Sequence, residues 1–423
     1  MKVLLVNKAY FPHLGGVETV VRQVAEGMHG RGHEVIVLCF GDRSVTERID
    51  GVEVRRVRPL GHIGSAPVGF RFVAEFFKLS KWADVINFHS PNPMGEIALL
   101  FCPSLCGKKI ICTYHGDAQK PKSLLPVYDA MLRRFFRRCG AVAVSSPPLA
   151  ENSRVLKDGS VKEKIRIIPL GVRTENYENH QPSDLEKAKC LLASLPPSSF
   201  KVMYAGRMVY YKGIGVLLDA LRTLLEPSAR IRADCPPLQD GTSGRPISAF
   251  LVGSGPEEDE VKTFIAKNSL GGDVLVVSPQ PEAVYRALLS LADCFVLPST
   301  HKTEAYGIVL VEAMASGLPV VSTELGTGTS WVNLDGETGV VVPPGDPDAL
   351  ARAIAGLADN GGERLSVTTA RMAAAARVRV KNFFEEETML EAYDEAFRAA
   401  LSRADAKKHG LHGLKENQHV ERK

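Results

Sequence analysis

Short runs of apolar residues alternate along most of the chain with longer stretches in which apolar residues recur every three or four positions. The short runs are typical of buried β-strands, and the longer stretches are typical of amphipathic α-helices. In the first half the pattern predicts strands at Val3–Asn7, Val35–Phe40, Val52–Val57, Asp84–His89, Lys109–His115, Ala141–Ser145 and Ile165–Leu170. Helical patterns lie between most of these strands, at Val17–Gly30, Arg71–Trp82 and Leu125–Cys139. Buried strands that alternate with helices predict a parallel sheet with right-handed crossovers.

The same alternation restarts near residue 200, after an irregular stretch rich in Pro and Ser. The second series of strands is predicted at Lys201–Gly206, Ala249–Gly253, Val274–Val277, Cys294–Pro298, Pro319–Thr323 and Gly339–Val342. The fold class is therefore α/β, with two Rossmann-like doubly wound domains and a ligand cleft at the carboxyl ends of the strands. The predicted segments are an N-terminal domain 1–172, a linker 173–199, a C-terminal domain 200–385, a helix 386–402 that packs back toward the N-terminal domain, a surface insertion 227–247 and a flexible tail 403–423.

Composition is that of an ordinary globular protein, with 45% hydrophobic and 24% charged residues among 423. No apolar run is long enough for a transmembrane helix, and the one at the N-terminus is too short for a signal peptide. The eight cysteines are scattered without a Cys-x-x-Cys pair, which favours reduced thiols in a cytoplasmic protein over a zinc site. Lys and Arg outnumber Asp and Glu before residue 180 but not after it. This basic first half favours an anionic membrane as a partner. Nucleic acid is disfavoured, since no nucleic-acid-binding motif is present.

Carboxylates and small residues follow the predicted strand Cys294–Pro298. Apolar residues at helical spacing predict a helix that begins near Gly307, so that Glu304 precedes the helix and Glu312 lies within it. The amides at the helix start can bind a phosphate, and the two carboxylates can accept hydrogen bonds from sugar and ribose hydroxyls. The alternative is a pair of surface carboxylates, one of which favours the helix N-terminus.

Two cations, Arg207 and Lys212, follow the first strand of the second series. The guanidinium of Arg offers a planar fork for phosphate, and the ammonium of Lys offers a point charge. Together they could neutralise a departing diphosphate without magnesium. Ordinary surface cations in a loop remain the alternative.

The first half offers two further candidates. Gly15 and Gly16 link the first strand to a helix, where the backbone can approach a phosphate closely, although a plain tight turn would have the same sequence. This is not a Gly-x-Gly-x-x-Gly motif, which disfavours a nicotinamide cofactor. His115 ends an apolar strand and could bind substrate there, or could be a structural histidine. His89 and Asn92, after the preceding strand, are weaker candidates for the acceptor side.

One apparent metal motif, Asp346-Pro347-Asp348, matches the Asp-x-Asp pattern of metal-dependent sugar transferases. An N-cap Asp, a Pro at the first helical position and an acidic first turn explain these residues without a metal. The three histidines of the C-terminal tail, at 409, 412 and 419, are interpreted as exposed tail residues. No metal site is predicted.

Together these stretches resemble the family 4 retaining glycosyltransferases of GT-B fold, over about residues 2–400. The matching residues are Gly15-Gly16-Val17-Glu18, the strand-end His115, Arg207 with Lys212, Glu304 and Glu312 with seven residues between them, Ala313–Val321 and Gly336–Gly339. Such enzymes retain the anomeric configuration of the donor sugar and usually need no metal or other cofactor.

The resemblance implies a role for each candidate residue. Gly16 would approach the donor phosphate, Arg207 and Lys212 would hold the diphosphate, and His115 would lie near the transferred sugar. Glu304 would bind hydroxyls of the donor sugar, and Glu312 would bind the ribose. The backbone at Tyr306, Gly307, Ile308 and Val309 would contact sugar and phosphate.

The stretch Ser322–Asn333 resembles bacterial polysaccharide mannosyl- and rhamnosyltransferases, which implies GDP-mannose or GDP-rhamnose as donor and cell-surface polysaccharide synthesis as the process. Ser278-Pro279-Gln280-Pro281 stands where relatives more often carry Gly, so a UDP-sugar remains the alternative. The acceptor implied is a glycan or lipid-linked glycan at the inner face of the cell membrane.

A basic amphipathic helix could provide the membrane contact. Its candidate residues are Arg133, Arg134, Arg137 and Arg138, interleaved with Leu132, Phe135 and Phe136. An ordinary packed helix with solvated arginines has the same pattern. Rival functions on this architecture are a sugar-nucleotide epimerase, a phosphorylase and a non-catalytic sugar-nucleotide-binding protein.

Overall fold

The chain forms two compact units in a computed structural model, Met1–Leu170 with the chain from Glu386 onward, and Gly171–Glu385. The structure describes residues 1–13, 15–64, 66–102, 109–119, 122–225, 246–358 and 366–402. Leu14, nearly all of the predicted insertion and the whole predicted tail 403–423 with its three histidines lie outside the described residues.

The first unit contains ten strands in the described residues: β1 Lys2–Val6, β2 Glu34–Phe40, β3 Val45–Ile49, β4 Val52–Val57, β5 Gly61–Ile63, β6 Ala66–Val68, β7 Val85–Ser90, β8 Ile110–Tyr114, β9 Ala141–Val144 and β10 Ile165–Ile167. Eight of them form one sheet in the order β10-β9-β8-β7-β1-β2-β4-β3, and β5 pairs with β6 in a separate hairpin. Every pair in the large sheet is parallel except β3 with β4, which is antiparallel. The parallel sheet is confirmed, whereas β3, β5 and β6 were not predicted because they lack an apolar run.

Helices cover both faces of this sheet. In the first unit they are α1 Gly16–Gly30, α2 Phe70–Trp82, α3 Pro93–Leu100, α4 Leu125–Arg138, α5 Pro147–Asn152, α6 Gly159–Lys162 and a last described helix at 386–402, with a 3₁₀ turn at Lys122–Leu124. The interpretation of α4 as a membrane-binding face is wrong, because its apolar residues Leu132, Phe135 and Phe136 are fully buried in the core of the unit. Arg137 pairs with Asp158 at 2.6 Å, so α4 is the packed helix that the pattern also allowed.

The helix at 386–402 packs within the first unit. Its Asp394 bonds to His33 at 2.9 Å, and its Tyr393 hydroxyl lies 3.2 Å from Thr113 Oγ1 on β8. Leu390 packs so closely on α1 that a side chain at Gly27 would overlap it.

The second unit contains β11 Phe200–Ala205, β12 Ile247–Val252, β13 Val274–Val277, β14 Cys294–Leu297, β15 Val320–Thr323 and β16 Gly339–Val342. All six are parallel, in the order β13-β12-β11-β14-β15-β16. Its helices are α7 Glu175–Glu178, α8 Pro182–Leu191, α9 Ile214–Leu225, α10 Glu258–Lys267, α11 Glu282–Leu291, α12 Ile308–Ala315, α13 Gly328–Val332, α14 Pro347–Ala358 and α15 Val367–Phe383, with a 3₁₀ turn at Tyr210–Lys212.

The strand order explains where a ligand can bind. In the second unit the direction of winding reverses between β11 and β14, and in the first unit it reverses between β1 and β7. Loops at the carboxyl ends of two such strands diverge to opposite faces of the sheet and leave a crevice between them. The predicted site residues of the second unit lie mainly in the loops after β11 and β14.

Candidate functional site

The loop after β11 presents two cations in different environments. Arg207 is exposed, and its backbone carbonyl accepts a hydrogen bond from the Tyr204 hydroxyl at 3.3 Å. Lys212 ends a 3₁₀ turn, and only 13% of its side chain is exposed. Gly213 follows with φ of 68°, a left-handed conformation that turns the chain sharply into α9.

A buried ion pair joins this loop to the loop after β14. Lys212 Nζ lies 2.5 Å from Glu304 Oε2, and the side chains are only 13% and 10% exposed. The Ser299 hydroxyl donates a second hydrogen bond to Glu304 Oε2 at 3.2 Å. Burial alone would lower the pKa of Lys212, but the neighbouring Glu304 carboxylate raises it above its ordinary value, so the ammonium stays charged. The structure therefore brings together two residues that the sequence placed in separate stretches.

The Glu304 loop is held in place by residues that follow β15. The Thr327 hydroxyl donates to the Glu304 carbonyl at 2.7 Å, and the Gly328 amide donates to the Ala305 carbonyl at 2.8 Å. Tyr306 is buried against Trp331, at a centroid distance of 6.4 Å. Sequence reasoning connected this stretch with donor choice and missed its role as a support, since hydrogen bonds to a backbone leave no motif.

The start of α12 offers an anion-binding position beside the ion pair. Gly307 caps the helix in a left-handed conformation with φ of 78°, and Ile308 and Val309 form its first turn. The first amides of a helix have no partner within the helix and favour a negative charge.

Glu312 lies one turn further along α12, where Tyr285 on α11 donates a hydrogen bond to its Oε2 at 2.8 Å. Burial raises the pKa of Glu312 to about 7, an effect that the Tyr285 hydrogen bond partly offsets. The carboxyl group can therefore change its charge near neutral pH. Tyr285 was not predicted, because a tyrosine in an amphipathic helix carries no signal of its own.

In the first unit, Gly16 is the first residue of α1 and is exposed. A side chain at this position would meet nothing within 4 Å in the unit. The neighbouring Gly15 is the N-cap, with an extended backbone, and its carbonyl accepts the Thr19 amide at 2.9 Å.

His115 follows β8 directly, and its amide donates to the Ser90 carbonyl at 2.9 Å. Its Nε2 lies 3.0 Å from Nδ1 of His89, which is completely buried at the end of β7. Burial lowers the pKa of His115 to about 4, so the ring is neutral at physiological pH. Asp117 anchors the next residues, because it accepts hydrogen bonds from the Tyr114 and Ser153 hydroxyls at 2.6 and 2.7 Å.

A buried carboxyl group, Glu96, organises the turn after β7 and was not predicted. It accepts hydrogen bonds from the Ser90 hydroxyl at 2.6 Å, the Asn92 backbone N–H at 2.8 Å and the Tyr128 hydroxyl at 2.7 Å. Asn92, the N-cap residue of α3, therefore lies beside a fixed polar network, and burial raises the pKa of Glu96.

The apparent metal motif is a helix cap. Asp346 Oδ1 accepts the Ala349 amide at 2.8 Å, and Pro347 opens α14. Within the described part of the chain, no group of three or more His, Cys, Asp or Glu side chains is arranged to hold a metal ion.

Comparison with known proteins identifies the family. Residues 14–176 match the model of Glycosyltransferase Family 4, and residues 193–378 match the model of Glycosyl transferases group 1. The D-rhamnosyltransferase WbpZ of Pseudomonas aeruginosa is 31% identical over 357 residues, which cover 84% of this chain and 86% of that protein. The chain therefore belongs to the family of glycosyltransferases that these two models and this relative define.

A second relative agrees with this assignment, and a solved structure shares the fold. The O-antigen chain mannosyltransferase C of Escherichia coli is 28% identical over 404 residues, which cover 95% of this chain and 99% of that protein. The sucrose-phosphate synthase of Thermosynechococcus elongatus superposes with a TM-score of 0.73 at 21% identity, covering 95% of this chain and 99% of that one. This likeness confirms the predicted GT-B fold. In the described residues no helix is both long and apolar enough to cross a bilayer.

Proposed function

We propose that this chain is a retaining hexosyltransferase that moves mannose or rhamnose from a GDP-sugar to a glycan or a lipid-linked glycan, in the cytoplasm and without a bound metal. The observation that carries the proposal is the buried Lys212–Glu304 pair at the switch point of the second sheet, with the exposed Arg207 in the same loop. A mannosyltransferase and a rhamnosyltransferase among the relatives support the choice of sugar.

The charges in the second unit suit a nucleoside diphosphate. Lys212 keeps its charge while largely buried, so its attraction for a phosphate oxygen is little screened by water. Arg207 adds a planar donor fork, and the first amides of α12 add oriented dipoles. These groups stabilise the negative charge that develops on the departing diphosphate, which is the task of the metal in metal-dependent transferases.

Glu304 and Glu312 take different parts in this proposal. Glu304 is held by an ammonium and a hydroxyl, and it accepts hydrogen bonds from hydroxyls of the donor sugar. Glu312 accepts from the ribose, while the backbone of Tyr306–Val309 contacts sugar and phosphate. Gly16 lies close to the donor phosphate and His115 close to the sugar.

Retention follows from attack on the face that the diphosphate leaves. The bond between the anomeric carbon and the phosphate oxygen breaks, and the acceptor hydroxyl oxygen bonds to the same face of that carbon. The departing phosphate oxygen takes the hydroxyl proton, so no protein nucleophile is needed. Lys212 and Arg207 stabilise the charge on that oxygen until the proton arrives.

Proton NMR of the purified full chain tests this proposal. The protein is incubated with GDP-mannose, GDP-rhamnose, UDP-glucose and UDP-N-acetylglucosamine, with a membrane extract as the source of acceptor and the Glu304→Ala variant as control. We expect only one GDP-sugar to be consumed, by transfer or by slow hydrolysis. The transferred or released sugar should first appear with the anomeric configuration of the donor. A chelator should not change this result. Loss of a UDP-sugar would overturn the choice of donor, inversion would overturn retention, and activity lost to the chelator would overturn metal independence.

Donor binding should weaken as the pH falls through about 7, the raised pKa of Glu312. The carboxylate accepts hydrogen bonds above this pH, whereas the protonated group binds a ribose less well. Between pH 8 and pH 6 the Kd for GDP, measured by calorimetry, should rise about tenfold more in the wild type than in Glu312→Gln. The variant keeps the shape of the side chain and corrects for titration of GDP itself. Parallel pH profiles for the two proteins would contradict the assignment of Glu312 to the ribose.

We also propose that the first unit contacts an anionic membrane, through a different surface from α4. Three large apolar side chains are exposed around the β5–β6 hairpin: Leu60 at 76%, Ile63 at 60% and Phe70 at 83%. Arg58 and Arg71 flank them and are exposed. Apolar side chains that can enter the lipid interface beside cations that attract its phosphates are the combination expected of a peripheral membrane surface.

Replacing Ile63 and Phe70 with serine should reduce partitioning onto vesicles of phosphatidylglycerol and phosphatidylcholine by at least about tenfold, because each residue contributes apolar area to insertion. Flotation through a density gradient measures the bound fraction. Val367→Ser, which removes an equally exposed apolar side chain far along the chain, is the control and should float like the wild type. Equal flotation of the double variant would contradict this placement of the membrane surface.

A further inference from the structure

Polar side chains form a ladder on one face of β7 and β8. Asn87 Nδ2 donates to Thr113 Oγ1 at 3.1 Å, and Thr113 Oγ1 contacts the hydroxyl of Tyr393 on the helix at 386–402. One pleat further toward the carboxyl ends, His89 meets His115. The opposite face of the same strands carries Phe88, Tyr114 and other members of the apolar core. A polar ladder on a buried face is costly where a member lacks a hydrogen bond, and Asn87 Oδ1 has no partner among the described residues.

The two histidines differ in exposure. His89 is completely buried, whereas His115 is partly exposed. Their rings lie nearly parallel, at 19°, with centroids 5.2 Å apart, and the single hydrogen bond joins His89 Nδ1 to His115 Nε2 at 3.0 Å. His89 Nε2 is buried and has no hydrogen-bond partner among the described residues.

We infer that His89 is a positioning residue that selects the tautomer of His115 with its proton on Nδ1. The inference rests on the proposed function, in which His115 lies beside the donor sugar.

The reason lies in the buried Nε2 of His89. Burial lowers the pKa of both rings, so each carries one proton and one acceptor nitrogen. If His115 donated from Nε2, the proton of His89 would be on its own Nε2 and would form an orphaned buried N–H, which native proteins avoid. If His89 donates from Nδ1, no N–H is orphaned. His115 then accepts at Nε2 and carries its proton on Nδ1.

This tautomer matters for a sugar-nucleotide ligand. Nδ1 of His115 becomes a fixed hydrogen-bond donor. A sugar hydroxyl oxygen can accept this hydrogen bond, and so can a phosphate oxygen. In the opposite tautomer Nδ1 would carry a lone pair and could only accept a hydrogen bond from a sugar hydroxyl. His89 thus prepares His115 for the ligand without touching the ligand, in the way that the partner of a metal-bound histidine sets its tautomer.

Nitrogen NMR tests the inference without using activity. The full chain is labelled with ¹⁵N only at histidine, and two-bond proton–nitrogen correlations identify which nitrogen carries the proton, with His115→Gln assigning the signals. We expect His115 to be protonated on Nδ1 from pH 6 to pH 8. A free imidazole favours Nε2–H in water, so His89→Leu should shift His115 toward that form. His115 protonated on Nε2 in the wild type would overturn the inference, whatever donor the enzyme uses.

The second test measures steady-state kinetics with the donor sugar that the proton NMR assay identifies. His89→Leu should lower kcat by about 10- to 100-fold, the range seen when the partner of a metal-bound histidine is removed. His89→Asn should recover most of this loss, because its amide nitrogen can donate to His115 Nε2 from nearly the position of Nδ1. The KM for the donor should change by less than about threefold in His89→Asn.

The outcomes separate this inference from the proposed function. If the wild type consumes no donor, the proposed function fails, while the NMR arm still decides the tautomer. If His115→Gln lowers turnover and His89→Leu does not, the inference fails and the proposed function stands. The positioning role would be overturned if His89→Asn folds with the melting temperature of the wild type but turns over as slowly as His89→Leu.

Discussion

Lys212→Met should lower the free energy of unfolding by about 3 kcal/mol and reduce donor turnover by at least about a hundredfold. The substitution leaves the Glu304 carboxylate, whose side chain is 10% exposed, without its 2.5 Å partner. A buried charge that loses its ionic partner keeps the cost of desolvation and loses the attraction that offset it. Chemical denaturation measures the first effect, and the donor NMR assay measures the second.

The double variant Lys212→Met with Glu304→Gln separates stability from function. Replacing both members of a buried ion pair by neutral groups of similar volume is often neutral or stabilising, so stability should return to within about 1 kcal/mol of the wild type. The Ser299 hydroxyl can still bond to the new amide oxygen. Turnover should stay absent, because neither the cation for the diphosphate nor the carboxylate for the sugar is present.

A matched control removes a lysine from a solvent-exposed ion pair. Lys262 lies 2.7 Å from Glu258 on α10, and its side chain is 55% exposed. Lys262→Met should therefore leave the denaturation midpoint close to that of the wild type, because an exposed ion pair contributes little to stability. Recovery of turnover in the double variant would contradict the role of the pair in transfer, and full stability of the single variant would contradict its burial.

Much of the fold could be predicted from the sequence because parallel strands leave a clear pattern. The apolar runs that mark β7, β8, β11 and β14 are buried on both faces, and each is found within a residue or two of its predicted bounds. Strands β3, β5 and β6 at the edge or outside the sheet were missed, since they are short, only partly buried and lack an apolar run.

The candidate site was predictable in its parts but not in its pairings. Lys212 and Glu304 could each be placed after a strand, whereas their contact depends on β11 and β14 being neighbours, which is a property of strand order. The bond between His89 and His115 likewise depends on the register of β7 with β8. Thr327 was invisible as a support, because it acts through its bond to a backbone carbonyl.

The error about α4 has a physical cause. Arginines interleaved with apolar residues are expected both of a helix that lies on a membrane and of a helix that packs on a sheet with its cations in water. Only the location of Leu132, Phe135 and Phe136 in the core distinguishes the two. The exposed apolar residues around β5 and β6 could not be recognised from sequence, since exposure depends on how the hairpin leaves the sheet.

Gly213→Ala is the second substitution with a large expected effect. The residue has φ of 68°, and an added Cβ would lie 2.0 Å from the Pro298 carbonyl oxygen, which belongs to the backbone and cannot simply rotate away. The left-handed conformation alone costs roughly 1 kcal/mol for alanine, and the clash must move one of the two loops that meet at the switch point. We expect a loss of about 3 kcal/mol in the free energy of unfolding.

Gly213→Ala should reduce turnover by more than its loss of folding stability alone would explain. Lys212 precedes Gly213 directly, so a shift of this backbone moves the ammonium away from Glu304, and a displacement of about 1 Å near a reacting group can cost about a hundredfold in rate. Gly215→Ala is the matched control two residues on, inside α9, where an added Cβ meets nothing within 4 Å. That change should leave stability within about 1 kcal/mol of the wild type and turnover intact, because Gly215 is the second residue of α9, where alanine is tolerated. Equal effects of the two substitutions would show that the approach of the Lys212 loop to Pro298 does not hold the ion pair in place.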